Sequence, residues 1–169
     1  TLAAGTSITL DGGSIKDAAC NAMSATSFTA PTISGVTIDA VSPTITGVTG
    51  PSAGTYASGD TLWFKVAFDE DVSISGTPSI GLTIGSDARQ ALYVSGSGTD
   101  TLKFGYEVAS GDEDADGISV DASVSLNEGS IADDAGNAAL LDLGTFETEG
   151  VFVNNQPTIM VQKNFDPAG

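Results

Sequence analysis

Asp112-Glu113-Asp114-Ala115-Asp116-Gly117 is the stretch of this sequence whose residue types and spacing speak most directly of chemistry. Carboxylates at alternate positions, closed by a glycine that tolerates a positive φ, let a tight loop turn three acidic side chains toward one point. Hard oxygen ligands of that kind suit Ca²⁺. The spacing matches the first half of an EF-hand loop, but the closing glutamate is missing because Ser123 stands in its place. An EF-hand helix pair is therefore set aside, which leaves a calcium loop between strands or a solvated acidic turn. Asp69-Glu70-Asp71 follows an alternating apolar run and is expected at that strand's end. Asp133-Asp134-Ala135-Gly136-Asn137 has turn chemistry, and Asp39 lies just before Pro43. Each of these groups is either a ligand or an ordinary turn or cap. The expected metal set is Asp112, Asp114, Asp116, Asp69, Glu70, Asp71, Asp39, Asp133 and Asn137, with Ca²⁺ as the cofactor.

Composition narrows the other chemistry. The chain has 169 residues, with 5 Lys+Arg against 22 Asp+Glu and a formal charge of −17. A phosphate backbone needs clustered cations, so nucleic acid is excluded as a partner. There is no histidine, which removes Ser-His-Asp and Cys-His catalysis and His-ligated zinc. Cys20 is the sole cysteine; it can form no internal disulfide and reads as an incidental thiol or an intermolecular link. Acidic pairs could serve a glycosidase, but no cleft signature accompanies them, and the expectation is a protein without catalysis. Apolar residues make up 40% of the chain and charged ones 16%, too apolar for an acidic disordered tail. No run approaches the roughly 20 apolar residues of a membrane span, and the opening residues lack the basic start and apolar core of a signal peptide.

The elements that must position the carboxylates are strands. Leu62, Phe64, Val66 and Phe68 alternate with Trp63, Lys65 and Ala67, and Leu102-Lys103-Phe104-Gly105-Tyr106 repeats the pattern. Thr44–Val48, Ser79–Ile84, Ala91–Ser95 and Ile118–Leu126 are further strands, separated by glycine-bearing turns at 51–59, 85–87, 96–100 and 110–117. Only Ala138–Leu143 has the composition for a turn of helix. About seven short strands at this spacing predict an all-β, antiparallel, immunoglobulin-like β-sandwich.

The chain also repeats itself. Leu10-Asp-Gly-Gly-Ser-Ile-Lys-Asp17-Ala-Ala-Cys20-Asn21 aligns with Leu126-Asn-Glu-Gly-Ser-Ile-Ala-Asp133-Asp-Ala-Gly136-Asn137, 116 positions later. Ile8 falls on Val124 at the same spacing. Gly35-Val-Thr-Ile-Asp39 and Pro43-Thr-Ile match Gly150-Val-Phe-Val-Asn154 and Pro157-Thr-Ile at slightly shorter offsets. A period of that length is a tandem domain array. The expected frame is the closing part of one repeat in 1–39, a complete repeat in 40–154, and the start of another in 155–169.

Pro43-Thr-Ile-Thr-Gly-Val, Gly54-Thr-Tyr-Ala-Ser-Gly-Asp60, Val66-Ala-Phe68-Asp-Glu70-Asp-Val72, Gly111-Asp112, Asp116-Gly117-Ile and Ile131-Ala-Asp133-Asp-Ala-Gly-Asn137 resemble the immunoglobulin-like tandem repeats of large bacterial RTX/biofilm-type surface adhesins. The resemblance spans residues 40–154 and recurs in both flanks. It implies a secreted array on the bacterial cell surface, often exported by type I secretion, with calcium stiffening the chain for adhesion or biofilm formation. Cys20 departs from the usual glycine. Asn154-Asn155-Gln156 replaces the acidic earlier junction, which implies weak or absent calcium at the second joint.

The expected function is a non-catalytic, calcium-stabilised extracellular module that acts as a rigid spacer in an adhesin or surface fibre. Neighbouring repeats or subunits of the same protein are its partners, and a surface glycan or a host or biofilm target is the wider one. Extracellular calcium modules bind at ~10⁻⁴–10⁻³ M, so such sites fill outside the cell and stand nearly empty in the cytosol. Two alternatives stand beside it. One is a self-assembling extracellular filament subunit completed by strand exchange. The other is a carbohydrate-binding module that uses Trp63 as a stacking platform.

Overall fold

The computed structural model describes residues 5–23, 27–29, 36–145 and 148–155. Among them there is no helix, and the named elements are nine β-strands. The chain divides into two compact units, Thr1–Asp39 and Ala40–Gly169.

The second unit holds every named strand. β1 (Ile45–Thr49), β3 (Thr61–Ser75), β6 (Thr99–Glu107), β5 (Asp87–Ser95), β4 (Ser79–Ile84) and β7 (Ser119–Ser125) lie side by side in that order, each antiparallel to its neighbour. β8 (Ser130–Ala132) pairs with the far end of β3. β2 (Gly54–Tyr56) and β9 (Val151–Val153) form a parallel ribbon. Alternation decides which face is inward: Leu62, Phe64, Val66 and Phe68 of β3 are buried, as are Leu102 and Phe104 of β6 and Ile80, Leu82 and Ile84 of β4. Val124, Ile131, Val151 and Val153 join them in one cluster. A sheet with a single apolar face reaches one common core by curling over itself.

Three departures from the expected elements have physical causes. β3 does not stop at Phe68. Its register against β6 shifts between Ala67 and Val72, and the strand then runs on to pair with β8. Asp69, Glu70 and Asp71 therefore occupy an irregularity inside a 15-residue strand, where a slip in register bends the strand locally. Ala138–Leu143 forms no helix; Ala138 bridges Ala132 and Asp142 bridges Ser123. The stretch expected to be turn at 51–59 contains β2, whose partner β9 arrives from about a hundred residues away.

Each hairpin turn uses the residue its backbone requires. At the β4–β5 turn Gly85 takes φ 59°, the left-handed region that side chains avoid. A Cβ there would also collide with the Glu113 carbonyl. That close approach brings the turn against the acidic loop at 112–117.

The first unit is small and its described residues carry only isolated bridges, Ser7 with Ser27 and Lys16 with Ala22. Its local geometry recurs in the second unit. Gly13 N–H donates to Leu10 O as Gly129 N–H does to Leu126 O. Met23 N–H donates to Ile15 O as Ala139 N–H does to Ile131 O. Positive φ falls at Asp11, Gly12 and Cys20 in one, and at Asn127, Glu128 and Gly136 in the other. Every pair is 116 positions apart.

Candidate functional site

The acidic loop is tied down by its backbone first. Asp114 exchanges two main-chain hydrogen bonds with Val153, and Ile118 N–H donates to Val151 O, so β9 runs between β2 and this loop. Asp112 turns inward from it. Its side chain is wholly buried. Oδ1 accepts from Arg89 Nε at 2.9 Å and lies 2.8 Å from Arg89 Nη2, while Oδ2 accepts from Tyr106 Oη at 2.6 Å and from the Ala109 N–H at 2.9 Å. Burial pushes the Asp112 pKa up. The bonds from Tyr106, Ala109 and the Arg89 guanidinium outweigh it and hold the carboxyl below its usual range. The same contact raises the pKa of Arg89. For Tyr106, burial and then the neighbouring carboxylate raise it.

Asp114 is also buried and spends its oxygens on backbone. Oδ2 accepts from Gly85 N–H at 2.7 Å, and Oδ1 from Gly117 N–H at 2.7 Å and Asp116 N–H at 3.3 Å. Asp116 itself is exposed. The three carboxylates thus face a guanidinium, a set of amides and solvent, instead of one shared point. An oxygen bonded to Arg89 makes a poor calcium ligand, because the ion and the guanidinium repel each other at that position. The sequence signal for this arrangement was the lone arginine of the chain, Arg89, a planar donor that selects a buried carboxylate. Its partner, 23 positions away on another element, is not readable from spacing.

The other acidic candidates sort by what they touch. Asp69 accepts the Thr44 N–H at 2.7 Å and the Thr44 hydroxyl at 2.6 Å. Those bonds hold its pKa below the usual range and pin the entry of β1 to β3. Asp71 is exposed on the same irregularity. Asp133 accepts the Asn137 N–H at 2.8 Å and the Asn137 Nδ2 at 2.7 Å. Hydrogen bonding from the Asn137 side chain is the main reason its pKa is lowered. Asp17 and Asn21 make the same clasp in the first unit, at 2.9 Å for both bonds, with the same lowering. Asn137 is thus the partner of a carboxylate.

Two acidic side chains of the second unit converge: Glu70, half-buried, and buried Asp133 bring carboxylate oxygens within 4.8 Å of each other. Glu70 lies on the β3 irregularity, where the register against β6 shifts, and Asp133 directly follows β8. Like charges this close repel unless a proton or a cation lies between them. Their oxygens are of the hard, anionic type that Ca²⁺ takes. Asp39 is exposed at the end of the first unit.

No family model matches the chain, and neither a curated protein nor a solved structure matches it.

Proposed function

We propose that this chain is a non-catalytic, calcium-stabilised module of an extracellular bacterial adhesin or surface fibre, in which immunoglobulin-like β-sandwich repeats follow one another as a stiff spacer. The observation that carries this reading is the Asp–Asn clasp, repeated with its flanking turns and hydrogen bonds 116 positions apart. Chance similarity of glycine-rich turns does not predict matching bonds at matching positions, whereas duplication of one domain does. The single curled core supports a two-layer sandwich, with β2 and β9 closing one edge.

Calcium enters through charge. A net −17 makes the compact state repel itself, and a divalent ion both neutralises and bridges carboxylates. Glu70 and Asp133 are the pair from which a site is built, exposed Asp71 adjoins Glu70 in sequence, and Asp39 enters on its sequence position alone. Asp112 drops out of the ligand set because Arg89 holds it. The test is thermal unfolding in calcium and in chelator: a higher midpoint in calcium supports the reading, and coincident midpoints refute the metal part of it.

One observation favours the filament alternative. Ile8 and Ile15 are 45% and 42% exposed, while Val124 and Ile131, at the matching positions of the second unit, are buried. Ile131 is covered by β3 through its pairing with Ile74. Among the described residues of the first unit Ile8 and Ile15 are left uncovered, and a strand supplied by another chain would cover Ile15 as β3 covers Ile131. Growth of fibres from the purified 169-residue chain, seen by light scattering, favours the filament subunit over the spacer.

A further inference from the structure

Past the end of β9 the chain is gripped through one side chain, that of Asn155. Its Nδ2 donates to Ala109 O at 2.9 Å and to Asp112 O at 2.8 Å. Its Oδ1 accepts the Ser58 N–H, and its main-chain N–H donates to Glu113 Oε1 at 3.1 Å. One residue earlier, the Asn154 N–H donates to Tyr56 O at 2.9 Å. A side-chain amide carries two N–H donors and one carbonyl acceptor, and at Asn155 both donors and the acceptor are engaged. Their partners lie 43 and 46 positions away in one segment and 97 away in another. Local turn chemistry does not produce bonds of that span.

The chemistry of this grip is the reverse of a metal site. Two carbonyl oxygens and a carboxylate oxygen of residues 109–113 converge on Asn155. Oxygens of those kinds are what Ca²⁺ draws together, and here N–H groups draw them together instead. An aspartate in the same place has acceptors only and would set its lone pairs against the carbonyls of Ala109 and Asp112. The residue 115 positions earlier is Ala40, which has no side-chain donor, and it follows Asp39 where Asn155 follows Asn154. The earlier joint therefore offers an acid where the later one offers amides.

We propose that Asn155 is the positioning residue that fixes where the chain leaves the second unit, and that it does so without metal. The inference rests on the reading of the chain as a spacer of consecutive repeats, in which the path out of one repeat sets the course to the next. β9 alone does not fix that path, because its ladder ends at Val153. The Ser58 turn follows β2, and residues 109–113 lead into the acidic loop, the two neighbours between which β9 runs. Asn155 ties both of them to the chain just beyond the ribbon.

Backbone ¹⁵N relaxation and amide exchange of the 169-residue chain in chelator test this. The wild type is expected to show an order parameter of about 0.85 at residues 154 and 155, unchanged on adding calcium. Asn155→Ala removes the three side-chain bonds. It is expected to lower the order parameter at 155 below about 0.6 and to speed exchange of the Ser58 amide by roughly tenfold or more. The Val151 and Val153 amides, which donate to Thr148 and Asp114, should keep their protection and show that the variant is folded. Asn155→Asp keeps the size and the acceptor but loses both donors, and should loosen residue 155 as alanine does. A wild type that is loose at 155 in chelator, or ordered there only in calcium, overturns the proposal. So do variants that leave residue 155 as rigid as before. A thermal midpoint indifferent to calcium would refute the metal part of the spacer reading and leave this assignment standing. A loose Asn155 in a chain that calcium stabilises would do the opposite.

Discussion

Replacing Asp112 by asparagine tests the assignment of the acidic loop as structural. The substitution keeps the shape and removes the charge. In the native protein the wholly buried carboxylate takes bonds from Tyr106 and Ala109 on one oxygen and lies against Arg89 on the other. Breaking a buried pair by removing one partner costs about 3–5 kcal/mol. The Arg89 side chain is 30% exposed, so water recovers part of its solvation and the lower end, about 3 kcal/mol, is expected. That is a large share of the roughly 5–15 kcal/mol that holds a domain together. The pH dependence has a defined sign. The folded pKa of Asp112 is below its ordinary value of 3.8, so its contribution is complete above that value and disappears as pH falls through the lower, folded pKa. Urea unfolding of both proteins should show a gap of about 3 kcal/mol at neutral pH that narrows in acid. The gap should be the same in calcium and in chelator, because Arg89 and not a metal is the partner. A loss under about 1 kcal/mol, within the range of an ordinary substitution, or one that appears only when calcium is present, would mean that Arg89 is not the partner on which the Asp112 carboxylate depends.

Removing calcium is expected to lower the unfolding midpoint. A site with a dissociation constant near ~10⁻⁴ M in ~10 mM calcium contributes about 2.7 kcal/mol, or roughly 8–10 °C for a domain of this size; scanning calorimetry with chelator reads it. Glu70→Gln should abolish most of that calcium-dependent shift while leaving the midpoint in chelator unchanged or higher, since it relieves the repulsion with Asp133. Gly85→Val forces a β-branched residue to φ 59° and into the Glu113 carbonyl; a loss of about 2–3 kcal/mol in urea unfolding is expected. Gly105→Val displaces only the end of the Trp63 ring, so stability should change by less than about 1 kcal/mol while Trp63 emission shifts to the red.

Legibility followed the range of the interaction. Ser79–Ile84 was readable to the residue because a β-branched run between turn signals needs no partner to be recognised. The buried face of β3 was equally plain in the alternation of Leu62, Phe64, Val66 and Phe68. The continuation of β3 past Phe68 was not, since three acidic residues in succession look like the end of a strand until β8 pairs with Ser73, Ile74 and Ser75 beyond them. β2 and β9 are three residues each, too short to carry a period, and they are strands only because they meet. At the site, the alternate aspartates were visible but their partners were not. Asp114 is read by the Gly85 amide from a hairpin on another part of the chain, and local spacing holds no record of that distance.

The parallel pairing of β2 with β9 has a mechanical consequence. The two strands run the same way and sit near opposite ends of the second unit's chain, Gly54 beside Val151 and Tyr56 beside Val153. Tension that draws residue 40 and residue 155 apart slides this ribbon lengthwise and loads its hydrogen bonds together in shear. An antiparallel hairpin pulled from its open end would instead unzip one bond at a time.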